Sequence, residues 1–161
     1  MIEMTFYVMF NSEELTEPDY IGPFYKLDDA EVAIVVLGST AGTTRVIVNK
    51  LREAGIRAGL LKLRSFRPFP AEQIAKELAG VKAVAALDRS MSPGAIGAPL
   101  FQEIRSALYD QDSRVPVLNY IYGLGGRDVS MPNIEQVFSD LSQVADNGLT
   151  GPVIRYLGLK E

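Results

Sequence analysis

The stretch EVAIVVLGSTAGTTRVIVNKLREAG, residues 31–55, decides the fold. Its first part, VAIVVLG (32–38), is β-branched and continuously apolar, the pattern of a strand buried on both faces. In residues 43–54, Ile47, Leu51 and Ala54 fall at i, i+4 and i+7, so they share one face of a helix. Gly55 supplies a stop. Between the two periods lies GSTAGTTR (38–45). A glycine-rich turn here is where nucleotide-binding proteins hold phosphate; it is also the plain corner at which a strand becomes a helix.

The spacing separates these readings only in part. A P-loop needs G-x-x-x-x-G-K-[ST], but Gly38 and Gly42 are four apart and no Lys follows the second Gly. A dinucleotide loop needs G-x-G-x-x-G and an acidic residue about twenty positions on. GSTAGT lacks the second Gly, and Ala58 and Gly59 fall where the acid belongs. Ser39, Thr40 and Thr43 are candidate helix N-caps. A capped turn is the simpler reading, with an anion site as its alternative.

The same alternation runs outward along the chain. RAGLLKLR (57–64), KAVAALD (82–88) and PVLNYIY (116–122) read as strands. Residues 71–79, 98–109 and 132–145 place apolar side chains on one helical stripe, as Ile134, Val137, Phe138, Leu141 and Ala145 show. Strand–helix alternation with short loops predicts right-handed crossovers and a mainly parallel sheet with helices on both faces. FYKL (24–27) is a candidate antiparallel edge strand, and PVIRYLGL closes the chain as a last short apolar piece.

Composition narrows the chemistry. The chain has 161 residues, no Cys and no His. That excludes disulfides, thiolate nucleophiles, cluster ligation through Cys, histidine bases and the Ser-His-Asp triad. No apolar run approaches the roughly 20 residues of a bilayer span, and MIEMTFYVMF carries an acid where a signal peptide needs basic residues. The expected location is therefore cytoplasmic, without a membrane partner. Residues 1–31 hold eight acidic residues and one basic, while the remainder holds fifteen basic and twelve acidic. A nucleic-acid partner calls for a stronger basic bias. Residues 1–22 are expected as a lead-in of unassigned structure and 23–161 as one α/β domain.

In a parallel sheet, every strand-to-helix loop lies at the carboxyl ends of the strands, where ligands of open α/β sheets bind. These loops bring Arg45, Arg64, Arg67, Asp88, Arg89, Gly125, Gly126, Arg127 and Asp128 toward one rim. The rim has two readings: an anion or nucleotide pocket, or a polar docking surface for another chain. Asp88-Arg89 reads as a helix-cap and salt-bridge pair or as an acid–base element. Arg64 and Arg67 either clamp an anion or pair with acids and fix a loop. Gly123, Gly125 and Gly126 point to positive φ or to close approach of a partner. Tyr120 and Tyr122 are expected as packing residues.

Four motifs carry a resemblance: DDAEVAIVVLGSTAGTTR, GLLKLRSFRPFPAEQI, LDRSMSPGAIGAPLFQEIRSALY and YIYGLGGRDVSMPNIEQVF. In this order they resemble the C-terminal region of the alpha subunit of pyruvate:ferredoxin oxidoreductase, over roughly residues 24 to 160. The chain is more distantly similar to the C-terminal domain of transketolase, where a strand followed by an R-S-x-R-P turn recurs. The resemblance implies a three-layer α/β/α fold with a five-stranded sheet, one edge strand antiparallel. It implies an enzyme that oxidises pyruvate or another 2-oxoacid with thiamine diphosphate, magnesium, coenzyme A and iron–sulfur clusters and passes electrons to ferredoxin. Those groups are held by other domains or subunits, and the family's catalytic residues have no counterpart here. The expected role is thus a non-catalytic assembly domain with no cofactor of its own. Its expected partners are the other parts of the enzyme, with ferredoxin met only indirectly. The alternative is an anion- or nucleotide-binding module.

Overall fold

The computed structural model describes residues 21–159. The expected lead-in therefore falls almost wholly outside the described residues. In chain order the elements are β1 (Ile21–Tyr25), β2 (Val32–Leu37), α1 (Thr40–Glu53), β3 (Ala58–Leu63) and α2 (Ala71–Leu78). They continue with β4 (Ala83–Asp88), α3 (Pro99–Asp110), β5 (Val117–Ile121), α4 (Met131–Asn147) and β6 (Ile154–Tyr156). A 3-10 turn, Leu124–Gly126, precedes α4.

The strands form one sheet in the order β1-β3-β2-β4-β5-β6. β1 runs antiparallel to β3, and all other neighbours are parallel. The layered α/β/α architecture with one antiparallel edge agrees with the sequence-based expectation. The difference is a sixth strand, built from the closing VIRYL piece beside β5. Three residues of mixed polarity carry no periodicity of their own, so this strand exists through its neighbour.

Alternation along the strands divides the core. Ala33 and Val35 of β2 pack on one face with Ile74 and Leu78 of α2 and with Phe101 and Ile104 of α3. Val32, Ile34 and Val36 pack on the other with Ile47 of α1 and with Phe138 and Leu141 of α4. Burying a side chain of this size fully is worth about 1.5–3 kcal/mol, so both faces are anchored.

The same division corrects one expectation. The chain steps in the same direction across the sheet from β4 to β5 and from β5 to β6. Yet α3 and α4 cover opposite faces, so the β5–α4–β6 connection is of opposite hand to the three before it. The usual rule assumes a helix that packs over the strands it joins. Here α4 instead lies beside α1 over β2 and β4. The chain then returns past Gly148 and Gly151, both at positive φ, to lay β6 at the edge.

Local signals explain the helix ends. Ser130 and Asn133 form a reciprocal capping box at α4: Ser130 Oγ accepts from the Asn133 N–H, and Asn133 Oδ1 accepts from the Ser130 N–H. α1 begins differently. Gly38, at φ 77°, turns the strand, and Ser39 at the N-cap makes no side-chain capping bond. The Thr44 hydroxyl donates back to the Thr40 carbonyl within the helix, so α1 starts without the side-chain cap expected from Ser39, Thr40 or Thr43.

Candidate functional rim

β2 and β4 are neighbours, but the helices that follow them leave to opposite faces. The carboxyl ends of these strands therefore form the switch point of the sheet. Asp88 ends β4 at this point and is 6% exposed. Its Oδ1 accepts from the Leu100 N–H at 2.9 Å and its Oδ2 from the Phe101 N–H at 3.3 Å. The carboxylate thus caps α3, the helix eleven residues further on, from outside that helix.

Asn119, in the middle of β5 and fully buried, completes the arrangement. Its Nδ2 donates to Asp88 Oδ2 at 3.0 Å and to the Ala86 carbonyl at 3.4 Å. Its Oδ1 accepts from the Ala98 N–H at 2.8 Å. Burial pushes the Asp88 carboxyl up from its ordinary value, while the bonds from Leu100, Phe101 and Asn119 pull the other way. Every polar atom of the pair is turned toward the chain's own backbone. The cap half of the sequence reading holds; the salt-bridge half does not, because Arg89 forms no ion pair with Asp88 among the described residues.

Gly97 fits the same corner. A Cβ there would lie 2.2 and 2.5 Å from the ring carbons of buried Phe101. The residue is glycine because the loop passes directly over the ring.

The arginines that the loops bring to the rim separate in space. Arg45 turns aside and stacks 4.4 Å from the ring of Tyr25 on the edge strand. The hydrogen bond from Arg45 leads the causes that hold the Tyr25 hydroxyl below its ordinary pKa. Arg64 is exposed at the end of β3. Arg67 covers Phe66, donates to the Phe66 carbonyl and bonds Glu103 of α3 at 2.5 Å, the loop-fixing role weighed above. Arg127 donates to the Gly158 carbonyl at 2.6 Å, tying the β5–α4 loop to the end of the chain. Arg89 stays exposed, 5.9 Å from the ring of buried Tyr122. Gly125 and Gly126 hold φ of 68° and 75° with open space where a Cβ would stand. Positive φ therefore explains them. Asp128 is exposed beside them.

Sequence reasoning missed a half-buried cluster at the sheet edge. Arg155 of β6 donates to Asp140 of α4 at 2.6 Å and to the Tyr120 hydroxyl of β5 at 3.2 Å. It also donates to the Thr150 and Pro152 carbonyls. Tyr120 donates to Asp140. Burial opposes the Asp140 charge, but bonds from Tyr120, Gln136 and Arg155 outweigh it and hold the carboxyl below its ordinary value. Burial and the facing carboxylate push the Tyr120 hydroxyl up. The cluster fastens β6, and its only sequence signal is an arginine in an otherwise apolar closing segment.

The donor set can be tested against the groups that the resemblance implies. Cluster irons bind Cys thiolates, and this chain has no Cys. Magnesium on a diphosphate asks for carboxylates or amide oxygens together with the phosphate. Among the described residues no group of three acids gathers to hold a metal, and the buried carboxylate at the switch point already serves α3. These residues do not fit either group. Among the described residues no helix is long and apolar enough to cross a membrane.

The chain is similar to known proteins over most of its length. Residues 30–134 match the family described as pyruvate:ferredoxin oxidoreductase core domain II. The pyruvate synthase subunit PorA of Thermotoga maritima is 46% identical over 138 residues, covering 85% of this chain and 34% of that protein. PorA of Methanosarcina barkeri is 44% identical over 126 residues, 78% of this chain and 31% of the relative. The alpha subunit of an NADH-dependent phenylglyoxylate dehydrogenase from Aromatoleum evansii is 40% identical over 128 residues, 80% of this chain and 30% of the relative. The chain thus spans about a third of the length of the curated relatives it matches. A solved split-gene transketolase, an inactive beta4 tetramer, superposes with a TM-score of 0.57 at 16% identity over 76% of this chain and 40% of that one; the likeness is one of fold. The chain belongs to the pyruvate:ferredoxin oxidoreductase core domain II family.

Proposed function

We propose that this chain is the non-catalytic assembly domain of a 2-oxoacid:ferredoxin oxidoreductase, of the pyruvate synthase kind. It supports the thiamine-diphosphate-binding parts and their interface from the carboxyl-end rim. One observation carries the reading: the acid and amide at the switch point are spent on the chain's own α3 backbone. The position where such folds keep ligand-binding groups is here a rigid corner. Thiamine diphosphate, magnesium and the clusters then belong to other domains or subunits, as does the choice of 2-oxoacid. When bound there, thiamine diphosphate supplies the carbanion chemistry of decarboxylation. This chain's share is to hold a fixed surface against the domains that bind it.

The test is reconstitution. The chain is tagged in its cell of origin and the complex purified, then stripped of the chain and rebuilt. The expected result is that 2-oxoacid-dependent reduction of ferredoxin falls on stripping and returns on adding the chain back. An unchanged rate after stripping contradicts the reading. Saturable binding of coenzyme A or phosphate to the chain alone, lost in Arg89→Ala, would favour the anion module instead.

A further inference from the structure

We infer that the companion seats on one half of the rim, the loops after β4, β5 and β6, through an apolar surface that carries a carboxylate for Arg89. The inference rests on the assembly reading above and adds to it the face and the chemistry of the partner.

Of the ten large apolar side chains that the described residues leave exposed, Met91, Ile96, Leu124 and Leu159 stand on these three loops, and Met131 and Tyr156 stand at the element ends that border them, the first residue of α4 and the last of β6. Ile96 is 76% exposed and Leu159 58%. Contacts join the loops into one surface. The Tyr156 hydroxyl lies 3.2 Å from Met91 Sδ. Arg127 holds the Gly158 carbonyl, and Gly123 lies against the Arg89 side chain. Apolar side chains gathered in this way on the surface of a monomer mark an interaction site, whereas scattered ones do not.

The opposite end of the sheet differs. At the amino ends of β2, β3 and β4 the charges close on one another: Glu31 pairs with Arg57 and Lys82, and Asp29 with Arg52. On the apolar rim, Arg89 and Asp128 are exposed, and neither forms an ion pair among the described residues. A charged residue beside an apolar patch is the anatomy of an interface margin, where charge sets register and partner choice.

The occupant follows from the length of the relatives. About two thirds of each lies outside the match, and the occupant inferred for this face is the part that corresponds to that remainder. Its matching surface is apolar, with an acid placed opposite Arg89 and a base opposite Asp128.

The absence of cysteine makes the test clean. Ile96→Cys, Leu124→Cys and Tyr156→Cys are each labelled with a benzophenone maleimide, as are the control positions Ile56→Cys and Tyr109→Cys. Each labelled 161-residue chain is mixed with the recombinant companion, a polypeptide spanning the part that aligns with the two thirds of PorA outside the match. The mixture is irradiated and the adducts mapped by mass spectrometry. Adducts to the companion are expected from the three rim positions and not from the controls, with loss of the Leu124 adduct in Arg89→Glu. Adducts from the controls alone overturn the choice of face and leave assembly standing. Adducts from the rim to a second copy of this chain overturn the choice of occupant. Absence of adducts and of co-elution overturns both this inference and the assembly reading.

Discussion

Removing the Asn119 side chain tests the switch-point corner most sharply. Asn119→Ala deletes the acceptor of the Ala98 N–H and one donor to Asp88, both inside the core. A buried donor left unpaired costs about 1–3 kcal/mol, and a bond to a charged group is worth about 1.5–3 kcal/mol. The two effects share one side chain, so we expect a loss of about 3 kcal/mol. Asp88→Ala strips two backbone N–H groups at the start of α3 of their acceptor, for about 2–3 kcal/mol after the relief of an unfavourably buried carboxylate. The variants share a hydrogen bond. The double variant should therefore fall short of the sum by about 0.5–3 kcal/mol. Urea unfolding followed by circular dichroism reads all four corners of the cycle as midpoint shifts at constant slope. Additive losses, or an Asn119→Ala loss below about 0.5 kcal/mol, would refute the account of the corner as one connected network.

Three further outcomes follow from the same geometry. Gly97→Ala forces a methyl group into the Phe101 ring and should cost about 1–3 kcal/mol, read as a fall in the melting midpoint, whereas Ala at Gly42, where a Cβ meets open space, should not. Arg52→Ala removes bonds to the Ala58 carbonyl, the Lys26 carbonyl and Asp29, loosening the β1 edge; a loss of about 1–2 kcal/mol is expected in chemical denaturation. Asp140 has a folded pKa below its ordinary 3.8. Its charge therefore contributes stability that is present above that value and lost as pH falls through the depressed one. Asp140→Asn should accordingly be less stable than the parent at pH 6, and the gap should narrow below about pH 4; a gap constant with pH would contradict the role assigned to the Arg155 cluster.

The fold was legible because its elements carry clean periods. The apolar run at 32–37 and the stripe of Ile134, Val137, Phe138 and Leu141 each satisfy one template. β6 was not legible as a strand, because Ile154, Arg155 and Tyr156 gain their conformation from β5 and from the Arg155 bonds. The reversed connection was hidden for a related reason: hand depends on where α4 packs, and its stripe does not say which strands it covers. At the rim, loop positions were legible but side-chain partners were not. Arg67 finds Glu103 and Arg127 finds the Gly158 carbonyl, each more than thirty residues away. Asn119 was overlooked inside PVLNYIY, yet a lone amide in a strand otherwise buried is itself a signal, since a polar group there must have partners.

The most direct measurement of the central claim is turnover by the purified chain alone. The chain is given pyruvate, coenzyme A, thiamine diphosphate, magnesium and a dye acceptor, and then the companion polypeptides are added. The account predicts no dye reduction before the addition and reduction after it. Reduction by the chain alone would contradict it, because it would place on this scaffold reactive groups that the account assigns to its companions.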